Sequence, residues 1–402
     1  MITRTLLERI FSAASMERWN DHPRPAVFTE LGKQAHKMAI AWALGKSEED
    51  RGERVDWSAL IEGGALEFLH RVVVTDIRPP VFHELMRDRE TKLQLDEWAA
   101  EQLGPDLAAL SPSMVGAFRS YHRAAPVTIE RRILRAAHFM ATWWELSFIM
   151  HWSAGMYGAE RTRREVEANV AAIDLPSARE MLDDPDGSRL WGFVSMVGQL
   201  TFQRRWAQTA RVPATSVLGH MLFVAMGSWL LARERGVCPR RLRNAFFGGL
   251  FHDLPEVLTR DIISPVKSSV TGLDEMIRRY ERAAMDERIL PLLPAHWHRE
   301  LLWYTEEEFT NKTWHEGEGW PDPIQRHEGD IPDALDDDRW DPLDGKLIEA
   351  CDKLAAYIEA SASIAMGIRS PELENGKRQI YERFRSARVA GLSLGHLFEY
   401  FR

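Results

Sequence analysis

Apolar positions spaced three and four residues apart dominate this chain. They run through "QAHKMAIAWALG" (34–45), "IERRILRAAHFMATWWELSFIM" (129–150), "SVLGHMLFVAMGSWLLARERG" (216–236), "LDEMIRRYERAAMDERILPLL" (273–293) and "GKLIEACDKLAAYIEASASIAMG" (345–367). That spacing gathers apolar side chains into one stripe of a helix. Several of the stretches begin after Ser, Thr or Asp and end near Gly, residue types that cap helix starts and ends. Alternating runs of the β type are scarce, and the best, "HRVVVTDI" (70–77), is short enough to fit either state. The pattern predicts an all-α protein.

The same pattern is written twice. Residues 63–81, "GGALEFLHRVVVTDIRPPV", align without a gap on residues 248–266, "GGLFHDLPEVLTRDIISPV", with eight of nineteen positions identical, where chance gives roughly one. Upstream, Arg18-Trp19 mirrors Arg205-Trp206, and each pair leads into a helix carrying a histidine: His36 in the first copy, after three extra residues, and His220 in the second. Downstream, "AAHFMATWWE" stands where the second copy has "ACDKLAAYIE". The expected organisation is a first helical unit over about 1–150 and a second over 195–402. The connector, 151–194, contains the Pro-, Asp- and Gly-bearing "DLPSAREMLDDPDGSRLWG".

The copies differ in their ionisable groups. His252 and Asp253 are replaced by Glu67 and Phe68, Glu256 by Arg71, and Asp352 by His138, whereas Asp76 matches Asp261. A copy that keeps its glycines, proline and apolar residues but loses its polar ones has kept a fold and lost a chemistry. The first unit therefore reads as a degenerate, structural half.

Charge and cysteine content narrow the functions open to the second half. A net charge of −9 with no long run of Lys or Arg argues against duplex nucleic acid or an anionic membrane as partner, because either calls for a clustered basic face. Two cysteines, Cys238 and Cys351, make neither a disulfide framework nor a Cys-rich zinc site. The N-terminal residues are too polar for a signal peptide, and no apolar run reaches about 18 residues. A cytoplasmic protein is expected.

Four side chains of the second half form a coherent ligand set: His220, His252, Asp253 and Asp352. Two imidazoles and two carboxylates suit one borderline divalent ion per chain, Mn²⁺, Co²⁺, Fe²⁺, Ni²⁺ or Zn²⁺. On a six-coordinate ion they leave two positions for a water and a substrate oxygen. Adjacent helical residues point about 100° apart, so His252 and Asp253 share an ion only in a groove that neighbouring helices complete. Glu256, placed four residues after His252 on one helix face, is the candidate general acid/base. Asp261 follows, ahead of a wall formed by Ser264 and Pro265.

A histidine on one helix, an H-D pair on the next and a distant aspartate resemble the signature of HD-domain phosphohydrolases. The string "RW…SVLGHMLFVAMG…FHDLPEVLTRDIISPVK…EACDKLAAYIE" is similar, over about 200–365, to the bacterial HD-domain 5′-deoxynucleotidases, the YfbR-like family. The resemblance implies two tandem HD-like bundles packed as an internal pseudo-dimer, because that family pairs as a homodimer; a further homo-oligomer is compatible with it. It implies metal-assisted hydrolysis of a deoxyribonucleoside 5′-monophosphate to deoxynucleoside and phosphate. His220, His252, Asp253 and Asp352 would bind the metal, and Glu256 would handle the proton. Arg205 would grip the phosphate. Asp261, taken with Glu256 as catalytic, would also bound the sugar together with Trp206 and Ser264, and Lys267 matches a lysine of the family.

Three departures accompany the match: the second, altered unit; Arg260 where a small residue is common; and an acidic insertion at 306–344 that reads as a long loop. The alternative within the enzyme class is a dNTP phosphohydrolase releasing pyrophosphate or tripolyphosphate. It would call for extra cations, for which Arg240–Arg243 ("RRLR") and Arg278-Arg279 are candidates, although both read as solvated helix faces. A nucleotide-binding sensor or partner-docking protein is the alternative of another class, and a nuclease is disfavoured by the missing basic track.

Overall fold

The computed structural model describes residues 1–75, 77, 81, 85, 87–123, 127–260, 272–315 and 323–402, and of residue 274 the backbone only. Its elements are predominantly helical, as the apolar spacing predicts. In the N-terminal part these are α1 (Arg4–Ser12), α2 (Glu30–Asp50), α3 (Trp57–Val74), α4 (Arg89–Leu110), α5 (Pro112–Arg123) and α6 (Ile129–Ser153). Three shorter helices follow: α7 (Ala159–Ala171), α8 (Pro176–Asp183) and α9 (Arg189–Gln199). The C-terminal part contains α10 (Val217–Arg235), α11 (Pro239–Phe251), α12 (Glu256–Thr259), α13 (Leu273–Ala284), α14 (His298–Thr305), α15 (Gly345–Ala365), α16 (Pro371–Phe384) and α17 (Gly395–Glu399). "HRVVVTDI" is resolved in favour of helix, since α3 runs to Val74.

The duplication is visible in the backbone. Strand β1 (Glu17–Arg18) pairs with β2 (Phe28–Thr29) ahead of α2, and an isolated bridge joins Arg204 to Ser216 ahead of α10. Thr29 and Ser216 each cap their helix, accepting from Gly32 N at 3.2 Å and Gly219 N at 3.1 Å, which satisfies an otherwise orphaned donor of the first turn. Trp19 and Trp206 both adopt left-handed backbone angles, with φ of 55° and 53°. Thr75 and Arg260 do the same where the next helix pair ends, with φ of 60° and 68°. Each such residue costs about 1–3 kcal/mol unless its surroundings hold it, and here each indole N–H is held by a glutamate: Glu145 at 2.8 Å for Trp19, Glu359 at 3.1 Å for Trp206.

These fixed points correct one pairing. From Arg18 to Thr29 and from Arg205 to Ser216 the copies run without a gap, and His220 lies four residues after its cap. The residue four after Thr29 is Lys33, so Lys33 and not His36 stands in the place of His220. His36 is a core histidine: its Nε2 lies 2.7 Å from the Val194 carbonyl oxygen, and its ring packs edge-on against Trp144.

The two halves share one hydrophobic core. Helix α2 is buried on every face from Glu30 to Gly45, and α10 from Val217 to Ala232; the two pack against each other. Trp42 of α2 projects among Phe193, Phe251 and Trp297, with ring centroids 5.8, 5.3 and 5.7 Å away, and its Nε1 donates to Glu300 at 3.1 Å. The N-terminal bundle thus covers the C-terminal one as a second subunit would. No helix among the described residues is long and apolar enough to cross a membrane.

The 306–344 segment departs from the expected loop. It carries a three-stranded antiparallel sheet in the order β4-β3-β5, from β3 (Asn311–Trp314), β4 (Ile324–His327) and β5 (Leu343–Asp344). Three of its acidic residues, Asp336, Asp341 and Asp344, are counter-ions to Arg240 and Arg241 of "RRLR", which is not a solvated face. The guanidinium of Arg241, 1% exposed, forms a fork on Asp344 with contacts of 2.6 and 2.8 Å, and Arg240 and Arg299 face Asp341. Arg243 is tied to Glu300 and lies over the Trp57 ring. Two sequence features that looked separately like decoration neutralise each other in the fold.

Candidate metal centre

Helix α11 stops at Phe251 because of Pro255. A continuing helix would need the residue-255 amide to donate to Phe251, and proline has none; the Leu254 amide bonds the Phe251 carbonyl instead, at 2.9 Å. His252 becomes the C-cap, residues 253–255 form a turn, and Glu256 opens the short α12. The expectation that His252, Asp253 and Glu256 share one continuous helix is therefore corrected: the turn lets the first two face the same point. In the first half His70 occupies the proline's place, and α3 runs on unbroken.

His220 reaches this point from the first turn of α10, and Asp352 from α15. The His220 Nε2 atom lies 3.0 Å from Asp352 Oδ1 and 3.7 Å from Asp253 Oδ2, and His252 Nε2 lies 3.2 Å from Asp253 Oδ2. The two imidazole centroids are 5.4 Å apart. His220, His252 and Asp352 are 1%, 3% and 5% exposed. Although so close to carboxylate oxygens, the two Nε2 atoms lack the alignment of a hydrogen bond. Donors bound about 2.1 Å from one ion at right angles lie about 3 Å apart and point at the ion, not at each other. The residues present therefore fit a divalent ion. His252 Nδ1 lies 2.8 Å from the Gly249 carbonyl oxygen, which fixes the ring and leaves Nε2 for the ion, the outer-shell support usual for a histidine ligand.

The protonation states agree with that fit. Burial pushes the Asp253 carboxyl up, but His252, Arg205 and His220 outweigh it and hold the group well below the usual carboxylate range. Asp352 is likewise held low against its burial, by Lys353, His220 and Arg205. Burial and the Arg205 charge lower His220, which keeps its ring neutral. His252 is raised despite burial by the adjacent Asp253.

Arg205 spans the two carboxylates, its guanidinium 3.3 Å from Asp253 Oδ2 and 3.4 Å from Asp352 Oδ1. Glu256 is 8% exposed, and its backbone carbonyl accepts from Gln203 Nε2 at 3.0 Å. Trp206 is anchored on Glu359, which also pairs with Arg211 at 3.1 Å. Asp261, Ser264 and Lys267, as well as Asp76, lie outside the described residues. Sequence reasoning missed Glu359, Arg211 and the Gly249 carbonyl. Glu359 left a signal, because the aligned decamers both end in glutamate, Glu145 and Glu359.

In the first half ion pairs occupy the equivalent volume. Arg18 reaches Glu145 at 2.9 Å and Glu30 at 3.1 Å, Lys37 pairs with Glu67, and Lys33 Nζ lies against His138 Nδ1. Burial and the surrounding cations keep His138 well below its ordinary pKa. The loss of the metal set at this place is thus compensated. Elsewhere in that half, His70, Asp96 and His122 form a second cluster of metal-type side chains, which the expectation of one ion per chain did not anticipate.

A cavity of about 860 Å³ opens beside the centre, bounded by Pro255 and Phe309. The Phe309 ring lies 6.0 Å from that of His252. Arg278, Arg282 and Arg299 line it from α13 and α14, with Lys312 and Arg326 from the sheet, and Trp303 and Trp314 supply aromatic walls. Facing carboxylates include Glu306 and Glu307, which pair with Arg282 and Arg326. Burial pushes the Glu308 carboxyl up.

Residues 197–381, which carry this centre, match the HD domain family. Among proteins of known activity, the chain is similar to a dATP triphosphohydrolase of Acinetobacter phage SH-Ab 15497. The two are 24% identical over 196 residues, which are 45% of this chain and 93% of the phage protein.

Proposed function

We propose that the protein is a metal-dependent phosphohydrolase of deoxyribonucleoside triphosphates, cleaving at the α-phosphorus to release the deoxynucleoside and tripolyphosphate. The observation that carries this reading is the aromatic-walled cavity, bearing cations and carboxylates, that begins at Pro255 and at Phe309, whose ring lies 6.0 Å from that of His252. A monophosphate needs little beyond the ion and Arg205. A polyphosphate tail needs further cations, and Arg278, Arg282, Arg299, Lys312 and Arg326 line the cavity; the tail would displace the carboxylates now paired with Arg282, Arg299 and Arg326. The phage relative, by its name, supports the same choice.

His220, His252, Asp253 and Asp352 would hold the ion, whose charge supplies an acidic water and neutralises phosphoryl oxygens. The chain's own groups do the rest. Arg205, already balanced between two carboxylates, turns its guanidinium to the equatorial oxygens of the α-phosphoryl group as charge builds there. Glu256 takes the proton of the attacking water and returns one to O5′ as the P–O5′ bond breaks. The new P–O bond forms opposite the leaving oxygen, so no co-reactant beyond water is consumed.

Hydrolysis of a monophosphate, the expectation drawn from the YfbR-like resemblance, breaks the same P–O5′ bond. The two readings differ only in what else hangs on the phosphorus. Incubating the Mn²⁺-loaded protein with deoxy- and ribonucleoside mono-, di- and triphosphates and separating the products by ion exchange decides between them. Tripolyphosphate from dNTPs is expected. Orthophosphate from dNMPs alone would restore the monophosphate reading, and equal turnover by Asp253→Ala would remove both.

A further inference from the structure

We infer that His70, Asp96 and His122 form a second, structural site for a borderline divalent cation, of the Zn²⁺, Co²⁺ or Ni²⁺ class, in the N-terminal half. The three ligands come from three helices, α3, α4 and α5, and one atom from each lies within 4.8 Å of the others. His70 and Asp96 are each 5% exposed. His70 Nε2 stands 3.1 Å from Asp96 Oδ1, and the two imidazole rings lie 4.5 Å apart at 26°. That separation matches rings bound through nitrogen to adjacent positions of one ion.

Two further observations favour a ligand over a merely polar cluster. The His122 Nε2 atom is buried with no hydrogen-bond partner. A buried imidazole nitrogen left unpaired calls for a partner, and a metal ion held by the neighbouring His70 and Asp96 would supply it. Lys92, whose Nζ donates to Asp96 Oδ2 and, at 2.8 Å, to the His122 carbonyl, ties the carboxylate to α5 and fixes its orientation. Two imidazoles and one carboxylate are a set that binds such ions firmly.

The place of this cluster in the repeat suggests its role. His70 occupies the position of Pro255, which in the second half bounds the cavity beside the metal centre. The helices that follow, α4 and α5, here bring Asp96, Phe118 and His122 against it. Where one half opens a substrate cavity, the other is filled by side chains that an ion would cross-link. The ion would clamp α5 to α3 and α4 and take no part in hydrolysis.

Metal content tests this independently of the proposed activity. Protein stripped with a chelator is titrated with Co²⁺, followed by absorption and by elemental analysis after dialysis. Wild type should bind two ions. Asp253→Ala, with the HD centre disabled, should retain one and should show a rise in melting temperature on adding Co²⁺; adding His122→Ala to it should leave none. His122→Ala alone should bind one ion and hydrolyse nucleotides at the wild-type rate. If Asp253→Ala binds no ion, the second site does not exist, and that result needs no His122 variant to fold. Should the single ion of Asp253→Ala survive in both His122→Ala and Asp96→Asn backgrounds, it sits elsewhere and the inference fails.

Discussion

Replacing Gly249 by alanine should loosen the metal centre from behind. A Cβ on Gly249 would sit 2.8 Å from Ala225 Cα, 2.9 Å from Ala225 N and 3.1 Å from the Val224 carbonyl carbon. All three are backbone atoms of α10, so no rotamer change relieves them. Ordinary carbon contacts begin at about 3.5 Å; α11 and α10 must therefore part by about 0.7 Å. Overpacking of this kind costs about 1–3 kcal/mol. The same displacement moves His252, which hangs on the Gly249 carbonyl, relative to His220 on α10. Metal–ligand distances tolerate only about 0.2 Å, so ion affinity should fall at least ~10-fold, the lower end for a lost outer-shell support. The repeat supplies a control, because Gly64 occupies the corresponding position and its added Cβ would meet the flexible Met38 side chain. Urea unfolding in chelator gives the packing cost of Gly249→Ala and Gly64→Ala, and calorimetric Mn²⁺ titration gives the affinity. Equal stability losses for the two variants, or wild-type Mn²⁺ affinity in Gly249→Ala, would refute the argument.

Three other outcomes are expected. Glu256→Gln should keep the full metal content but lose about 10²–10⁴-fold in kcat, measured by metal analysis beside steady-state kinetics; unchanged kcat would take the proton-handling role from Glu256. Burial lowers the Lys312 ammonium to about 8. Its charge is present below that pH and lost above it, so KM for a triphosphate should climb between pH 7 and 9, and Lys312→Met should flatten the profile. Burial holds His36 neutral, down to about 4 from an ordinary 6.5. Protonation therefore favours the unfolded chain: the stability is intact above pH 6.5 and falls as pH drops towards 4, by about 3 kcal/mol in all at 1.36 kcal/mol per unit. Denaturation of wild type and His36→Gln at pH 7 and 4.5 checks this, and parallel losses in both would count against it.

Helix content was legible because three-and-four spacing and Ser or Thr caps are local signals. The duplication was legible because "GGALEFLHRVVVTDIRPPV" and its partner align without a gap. The HD cluster was legible because four metal-type residues lie in order within one copy. What escaped was decided by long-range contact. Lys33 could be paired with His220 only once Thr29 and Ser216 were known to cap their helices, and a second histidine, His36, drew the alignment aside. The internal use of Asp344 and Asp341 against Arg241 and Arg240 joins residues about a hundred positions apart, so each run looked solvated on its own. Pro255 was visible, but its consequence, a helix broken immediately after His252, depends on which carbonyl it leaves unbonded.

The pairing of α2 with α10 has a consequence for any attempt to dissect the protein. Each is a rod enclosed on all sides for sixteen consecutive residues, and part of each enclosure is the other. A minimal fragment beginning near residue 195 would present to water the flank of α10 that α2 now covers. Cleavage in the intervening helices should yield two pieces that stay clasped, and expression of the C-terminal piece alone should yield inclusion bodies.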